Sequence, residues 1–204
     1  MLLLKKKGVN KANCGGDGTG HSLTIRKHYS SYAQKLKEKV KIAKTVSDGK
    51  KKAFVYCFAL MDIETRMYIA YGTGFKSEQE AFFEAMKMVK MFGIEIESIR
   101  LDRYYSCQEY VSHLNKKFSH IKIWLIPKSN ATMEGCWEWK KIMRDFVIDP
   151  ISYLEDYFQR NQSESGFNED KKRTGWRIMQ QREDRIDTAQ FCNILWHNLY
   201  WFEN

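Results

Sequence analysis

Ala53-Phe54-Val55-Tyr56-Cys57-Phe58-Ala59-Leu60-Met61-Asp62 is a nearly continuous apolar run of strand length. Arg66–Thr73 (RMYIAYGT) is a second run rich in aromatic and β-preferring residues. The short Asp62-Ile63-Glu64-Thr65 connection makes the two read as an antiparallel hairpin. Downstream the pattern changes period. Ser77 with Glu80 three residues on is a capping box, and Ala81, Phe82, Ala85, Met88, Val89 and Phe92 follow at helical spacing until Gly93 stops the helix. Ile96–Leu101 is a short strand ending on Asp102. A helix over about 106–117 follows, with Tyr110, Val111 and Leu114 inward. Ile121–Ile126 is a further buried strand, closed by Pro127. Residues 128–147 read as a polar loop and a Trp-rich helix, about 151 to Gly175 as a long helical segment, and about 184–202 as an amphipathic, aromatic-rich helix. Upstream, residues 8–25 suggest a short strand ending in a tight turn at Gly15-Gly16-Asp17-Gly18-Thr19-Gly20, and the basic stretch 26–50 an excursion tipped by Asp48-Gly49. Paired strands early and strands alternating with helices later describe a mixed α/β sheet covered by helices.

A chain of 204 residues, 43% hydrophobic and 29% charged, is long enough for one well-formed core and too apolar for a disordered tail. No apolar run approaches about 18 residues, which excludes a membrane-spanning helix. The net charge of +9 favours nucleic acid or another anionic surface as partner. Cys14, Cys57, Cys107, Cys136 and Cys192 are scattered and odd in number, as expected of reduced thiols in a cytoplasmic protein, and their spacing offers no zinc site.

Chemistry concentrates in Tyr157-x2-Arg160-x3-Glu164-x6-Lys171. On one continuous helix, at about 100° per residue, these four side chains fall within an arc of roughly 60°. A stripe of phenol, guanidinium, carboxylate and ammonium suits a site that holds a metal ion and grips phosphates. Equally, it suits a solvated face with an Arg160–Glu164 pair. Two further acids bear on the choice. Asp17 lies at the expected end of the first strand and Asp102 at the end of the fourth, where ligands of such sheets gather. Each has a plain alternative: Asp17 as a turn residue, Asp102 as a helix N-cap.

The Tyr157-Arg160-Glu164-Lys171 pattern resembles the Tyr-Arg-Glu-Lys signature of cut-and-paste insertion-sequence transposases of the DDE class. Asp17 in Asp-Gly-Thr-Gly looks like the first aspartate of that family, and Asp102 in Arg-Leu-Asp-Arg-Tyr-Tyr-Ser like the second. Arg103 and Tyr104 stand where the family more often has Asp-x-Gly-Tyr. The resemblance spans roughly residues 8–200. It implies a ribonuclease H-like, five-stranded mixed sheet flanked by helices. It also implies that Asp17, Asp102 and Glu164 coordinate Mg²⁺ or Mn²⁺ for DNA strand cleavage and transfer, while Tyr157, Arg160 and Lys171 hold phosphates. The implied partners are DNA, as transposon ends and target, with a homodimer on DNA as one arrangement.

Related transposases carry an insertion before the catalytic helix in which an aromatic side chain stacks on a flipped base. Trp137 and Trp139 occupy that region here, either for stacking or for packing the core. Only 16 residues precede Asp17, so residues 1–204 read as a catalytic domain without the family's N-terminal end-binding domain. Two readings stand: a metal-dependent DNA nuclease and strand transferase, or a truncated, inactive remnant that only binds DNA.

Overall fold

A computed structural model describes residues 2–23, 54–118, 120–180 and 182–203. The excursion expected at 26–50 lies outside the described residues. Strands β1 (Lys11–Ser22), β2 (Phe54–Asp62), β3 (Tyr68–Gly74), β4 (Glu95–Leu101) and β5 (Lys122–Trp124) form one sheet in the order β3-β2-β1-β4-β5. β1, β2 and β3 pair antiparallel, whereas β4 runs parallel to both β1 and β5. The helices are α1 (Leu2–Lys6), α2 (Glu78–Phe92), α3 (Gln108–Lys117), α4 (Trp137–Ile148), α5 (Pro150–Phe158), α6 (Asn161–Thr174) and α7 (Glu183–Glu203). This mixed sheet flanked by helices has the ribonuclease H-like topology.

The apolar run of β2 is buried because both sheet faces are covered. Alternate residues point to opposite faces. Phe58 and Leu60 join Phe82 and Ala85 of α2 and Val111 and Leu114 of α3 in the larger core. Ala59 and Met61 face the other way, toward Phe167 of α6 and Ile194 of α7. The hairpin closes as its sequence suggests: the Asp62 carboxylate accepts from the Thr65 backbone N–H at 2.9 Å and from its hydroxyl at 2.7 Å. The α2 cap is half of the expected box. Ser77 accepts from the Glu80 N–H, but the Glu80 carboxylate accepts from Phe75 and Lys76. Gly93 ends α2 at φ +65°.

Three expectations need correction. First, β1 does not end in a tight turn: it continues through the glycines to Ser22, in register with β2 from Cys14↔Asp62 to Ser22↔Phe54. The glycines serve packing. A Cβ at Gly16 would come within 2.7 Å of both the Leu101 side chain and the Phe58 ring.

Second, the segment from about 151 to 175 is two helices. At the junction Arg160 N–H bonds Tyr157 O, Gln162 N–H bonds Gln159 O, and Ser163 N–H bonds Arg160 O. These are three i→i−3 bonds, and the Ser163 hydroxyl also donates to Arg160 O at 2.7 Å. A tightened turn therefore replaces the α-helical ladder.

Third, α7 lacks the amphipathic division expected of it. Gln190, His197 and Asn198 are buried beside Ile186 and Ile194, whereas Phe191, Leu195, Trp196 and Leu199 are exposed. Two of these polar residues are held by partners: Asn198 bridges the Tyr68 backbone N–H and C=O, and His197 lies between Asp170 and the Arg66 carbonyl.

Candidate active site

The register of β1 against β4 places the first two acids. Gly16 pairs with Leu101, the last residue of β4. Asp17 is the next residue of β1 and Asp102 the first residue after β4, so they lie side by side where β1 outruns its neighbour. Asp102 also caps the 3-10 turn Arg103–Tyr105, its carboxylate accepting from the Arg103 N–H at 2.6 Å. The N-cap alternative and the site placement are thus both met by one side chain with a second oxygen to spare.

Arg160, at the α5–α6 junction, gathers the carboxylates. Its Nη2 lies 2.5 Å from Glu164 and 3.5 Å from Asp102, and its Nη1 4.0 Å from Asp17. α6 can approach β1 this closely because Gly15 carries no side chain: a Cβ there would meet the Ser163 hydroxyl at 3.3 Å and the Arg160 Cα at 3.4 Å. Three acids separated by up to 147 positions of sequence thus converge on one guanidinium.

Burial pushes the Asp17 carboxyl up to about 7. Arg160 and the Gly18 N–H counter this, while Glu164 and Asp102 add to it. The guanidinium is therefore insufficient compensation for a desolvated carboxylate among like charges. Among the described residues no set of three or more His, Cys, Asp or Glu side chains is arranged to hold a metal ion; the guanidinium stands among the three acids instead. The donor chemistry nevertheless fits a hard divalent cation: three carboxylates, one of them short of positive charge.

The other three residues of the signature are placed differently. Tyr157 is 3% exposed and packs with Trp124 and Tyr153, its ring 5.6 Å from the Arg160 guanidinium. Its phenol sits behind Arg160, and burial raises its pKa. Lys171 is 7% exposed, donates to the Thr19 hydroxyl and lies 4.3 Å from the Trp176 ring centroid. It meets β1 two residues beyond Asp17, apart from the acid cluster. Of the two tryptophans before α5, Trp139 is buried, with its indole N–H donating to Thr132 O at 2.8 Å. Trp137 is exposed and carries Arg144 over its ring at 5.5 Å.

Sequence reasoning missed Glu78, which accepts from the Tyr105 hydroxyl at 2.5 Å and lies against Gly18. It also missed His21, buried on the Asp17–Thr19 face of β1, where burial and then Lys171 push its pKa down to about 4. The alternation Asp17, Thr19, His21 carried that signal, but it was obscured by reading the glycines as a turn.

The fold and the gathered acids define a ribonuclease H-like α/β domain with an acidic cluster at the β1–β4 junction. Over 200 residues, 98% of its length, the chain is 39% identical to a probable transposase for insertion sequence element ISA1214 of Archaeoglobus fulgidus. It covers 56% of that protein, a little over half. No protein-family model and no solved structure matches the chain. Among the described residues no helix is long and apolar enough to cross a membrane.

Proposed function

We propose that residues 1–204 form the catalytic domain of an insertion-sequence transposase of the DDE class, which cleaves DNA strands and transfers them. The observation that carries this reading is the convergence of Asp17, Asp102 and Glu164 on the single Arg160 guanidinium. Support comes from the 39% identity to the Archaeoglobus protein and from the net charge of +9, suited to DNA.

Asp17, Asp102 and Glu164 would hold Mg²⁺ or Mn²⁺, which supplies Lewis-acid stabilisation and lowers the pKa of attacking water. The chain's own residues do the rest. Asp17 and Asp102 are fixed by strand register and Glu164 by the first turn of α6, so little reorganisation is needed to bring them to a common point. Arg160 occupies the cation position of the unliganded site, and in the DNA complex it turns its fork toward a backbone phosphate. Tyr157 holds the Arg160 stem from behind. Lys171 of α6, held against the next stretch of β1 by Thr19, offers a point charge to a neighbouring phosphate.

A second reading keeps DNA binding without cleavage. It is favoured by Arg160 lying within 4.0 Å of all three carboxylates, which leaves them partly neutralised. The two readings separate on nicking of supercoiled DNA in Mn²⁺ or Mg²⁺. The catalytic reading expects metal-dependent nicking that Asp102→Ala abolishes while the circular dichroism spectrum stays native. Equal nicking by wild type and Asp102→Ala defeats it.

A further inference from the structure

A cavity of about 300 Å³ lies between α6, the end of α7 and the β2–β3 connection, and its wall includes Arg66, Gln162, Glu169, His197 and Trp201. At about 100° per residue, Gln162 and Glu169 sit roughly 140–160° round α6 from Glu164, so this cavity opens on a different face from the acid cluster. Three groups of its wall have no polar partner among the described residues. The Trp201 indole N–H and the Gln162 side-chain carbonyl are shielded from solvent, and neither makes a hydrogen bond. The Arg66 guanidinium lies over the Trp201 ring, 4.9 Å from its centroid, and makes no hydrogen bond or ion pair. The other charged or titratable wall residues are engaged. Glu169 pairs with Arg173 at 3.5 Å, and His197 is bound by Asp170 at one ring nitrogen and by the Arg66 carbonyl at the other. Arg66 also stands at φ +57°, a left-handed conformation that glycine adopts without cost and a long side chain does not. The buried His197 fixes that backbone by donating to its carbonyl at 2.9 Å. A guanidinium held on a strained residue, beside an unused donor and an unused acceptor, is preorganised for a ligand.

The geometry points to a binding site for a phosphate that carries a proton, either inorganic phosphate or the monoester at the end of a nucleic-acid strand. The guanidinium fork and the indole N–H are donors, which suits an oxyanion. The Gln162 carbonyl only accepts, so the same anion must also donate. Hydrogen phosphate does both. Sulfate and a phosphodiester offer acceptors alone and would set an oxygen lone pair against the Gln162 carbonyl. The volume is at the lower end of the usual range for small-molecule sites, about 300–1,000 Å³, which suits one such anion with accompanying water. The site is separate from the DNA chemistry proposed for the acid cluster and does not depend on it.

The test is isothermal titration calorimetry of residues 1–204 with inorganic phosphate and with sulfate. It is run at constant ionic strength and about pH 6, where a phosphomonoester is about half protonated. Wild type is expected to bind one phosphate per chain and to bind sulfate about tenfold more weakly. Arg66→Gly removes the cation and relieves the left-handed backbone; it should keep the wild-type Tm and lose at least about tenfold in phosphate affinity. Gln162→Met keeps the side-chain length without the acceptor and should bind the two anions alike. Absence of saturable phosphate binding by wild type, equal affinity of wild type for phosphate and sulfate, or undiminished binding by Arg66→Gly overturns the inference. Single-stranded oligonucleotides ending in a 5′-phosphate or a 5′-hydroxyl, added as competitors, identify the source. Displacement of phosphate by the phosphorylated strand alone assigns the site to a strand end, and displacement by neither assigns it to free phosphate. Equal displacement by both overturns the inference, because a phosphodiester carries no proton.

Discussion

Arg160 Nη2 lies 2.5 Å from the Glu164 carboxylate, and the same nitrogen reaches Asp102 at 3.5 Å. One side chain therefore acts as counter-ion for acids drawn from a helix and from the end of a strand. Replacing it with an apolar residue of similar length leaves three carboxylates facing one another. Asp102 and Glu164 are each 44% exposed, so water screens part of the repulsion. Arg160→Met should lower stability by roughly 1–3 kcal/mol without metal. Because Mn²⁺ no longer competes with the guanidinium, the rise in Tm on adding it should be larger in the variant than in wild type. Differential scanning fluorimetry with and without Mn²⁺ measures both effects; identical metal-induced shifts would show that Arg160 does not occupy the cation position.

Asp17 should destabilise the metal-free fold at neutral pH. Burial pushes its carboxyl up to about 7 in the folded state from an ordinary value of 3.8. Between those values the folded state binds more protons, so this group's contribution to stability is present below 3.8 and is lost as pH rises through about 7. Asp17→Asn removes the titration and keeps the shape. Its Tm should exceed that of wild type by on the order of 5 °C above neutrality, with the gap closing toward pH 4. A gap that does not change with pH contradicts this account of the burial.

His21 has the opposite sign. Burial pushes its pKa down to about 4 from 6.5, so the unfolded state binds more protons between those values. Stability from this residue is complete above 6.5 and lost as pH falls toward 4. The full linkage is about 3 kcal/mol, at about 1.4 kcal/mol for each unit of displacement. Thermal melts of wild type and His21→Asn across this range should show the wild-type curve falling more steeply on acidification. Parallel curves would place His21 in solvent.

The two tryptophans of α4 should part company on truncation. Trp139→Ala empties a buried site and orphans the Thr132 carbonyl, at a cost of about 3–5 kcal/mol. Trp137→Ala, at 65% exposure, should stay within about 0.5 kcal/mol of wild type. Urea denaturation of both variants decides the matter, and a severe loss in Trp137→Ala would contradict its placement.

Much of the sheet was readable from residue pattern. β2 and β3 announce themselves by apolar runs around an Asp62–Thr65 turn, and α2 by its cap and period. Asp102 was placed correctly because a strand stops abruptly at a polar residue. Asp17 was placed on the right strand but at the wrong point, because the glycines around it resemble a turn. Their actual reason, clearance for Phe58, Leu101 and the α5–α6 junction, is a tertiary fact that no local window contains. The same holds for the break at Arg160. Its spacing suits a continuous helix, and only Ser163 bonding the Arg160 carbonyl reveals the tightened turn. Glu78 escaped notice because it reads as an ordinary first-turn acid of α2 until β1 is laid against it. Lys171 lies on the expected helix, yet its partner is Thr19 rather than the acids, a consequence of where α6 crosses β1.

The central claim is that Asp17, Asp102 and Glu164, far apart in sequence, act as one site for a divalent cation. Affinity cleavage tests it most directly: Fe²⁺ in place of Mg²⁺, with ascorbate and peroxide, cuts a polypeptide beside the bound ion. The account predicts fragments ending near all three residues, suppressed by excess Mg²⁺ and lost together in Glu164→Gln. Cuts beside only one of the three, or cuts that survive Glu164→Gln, would contradict it.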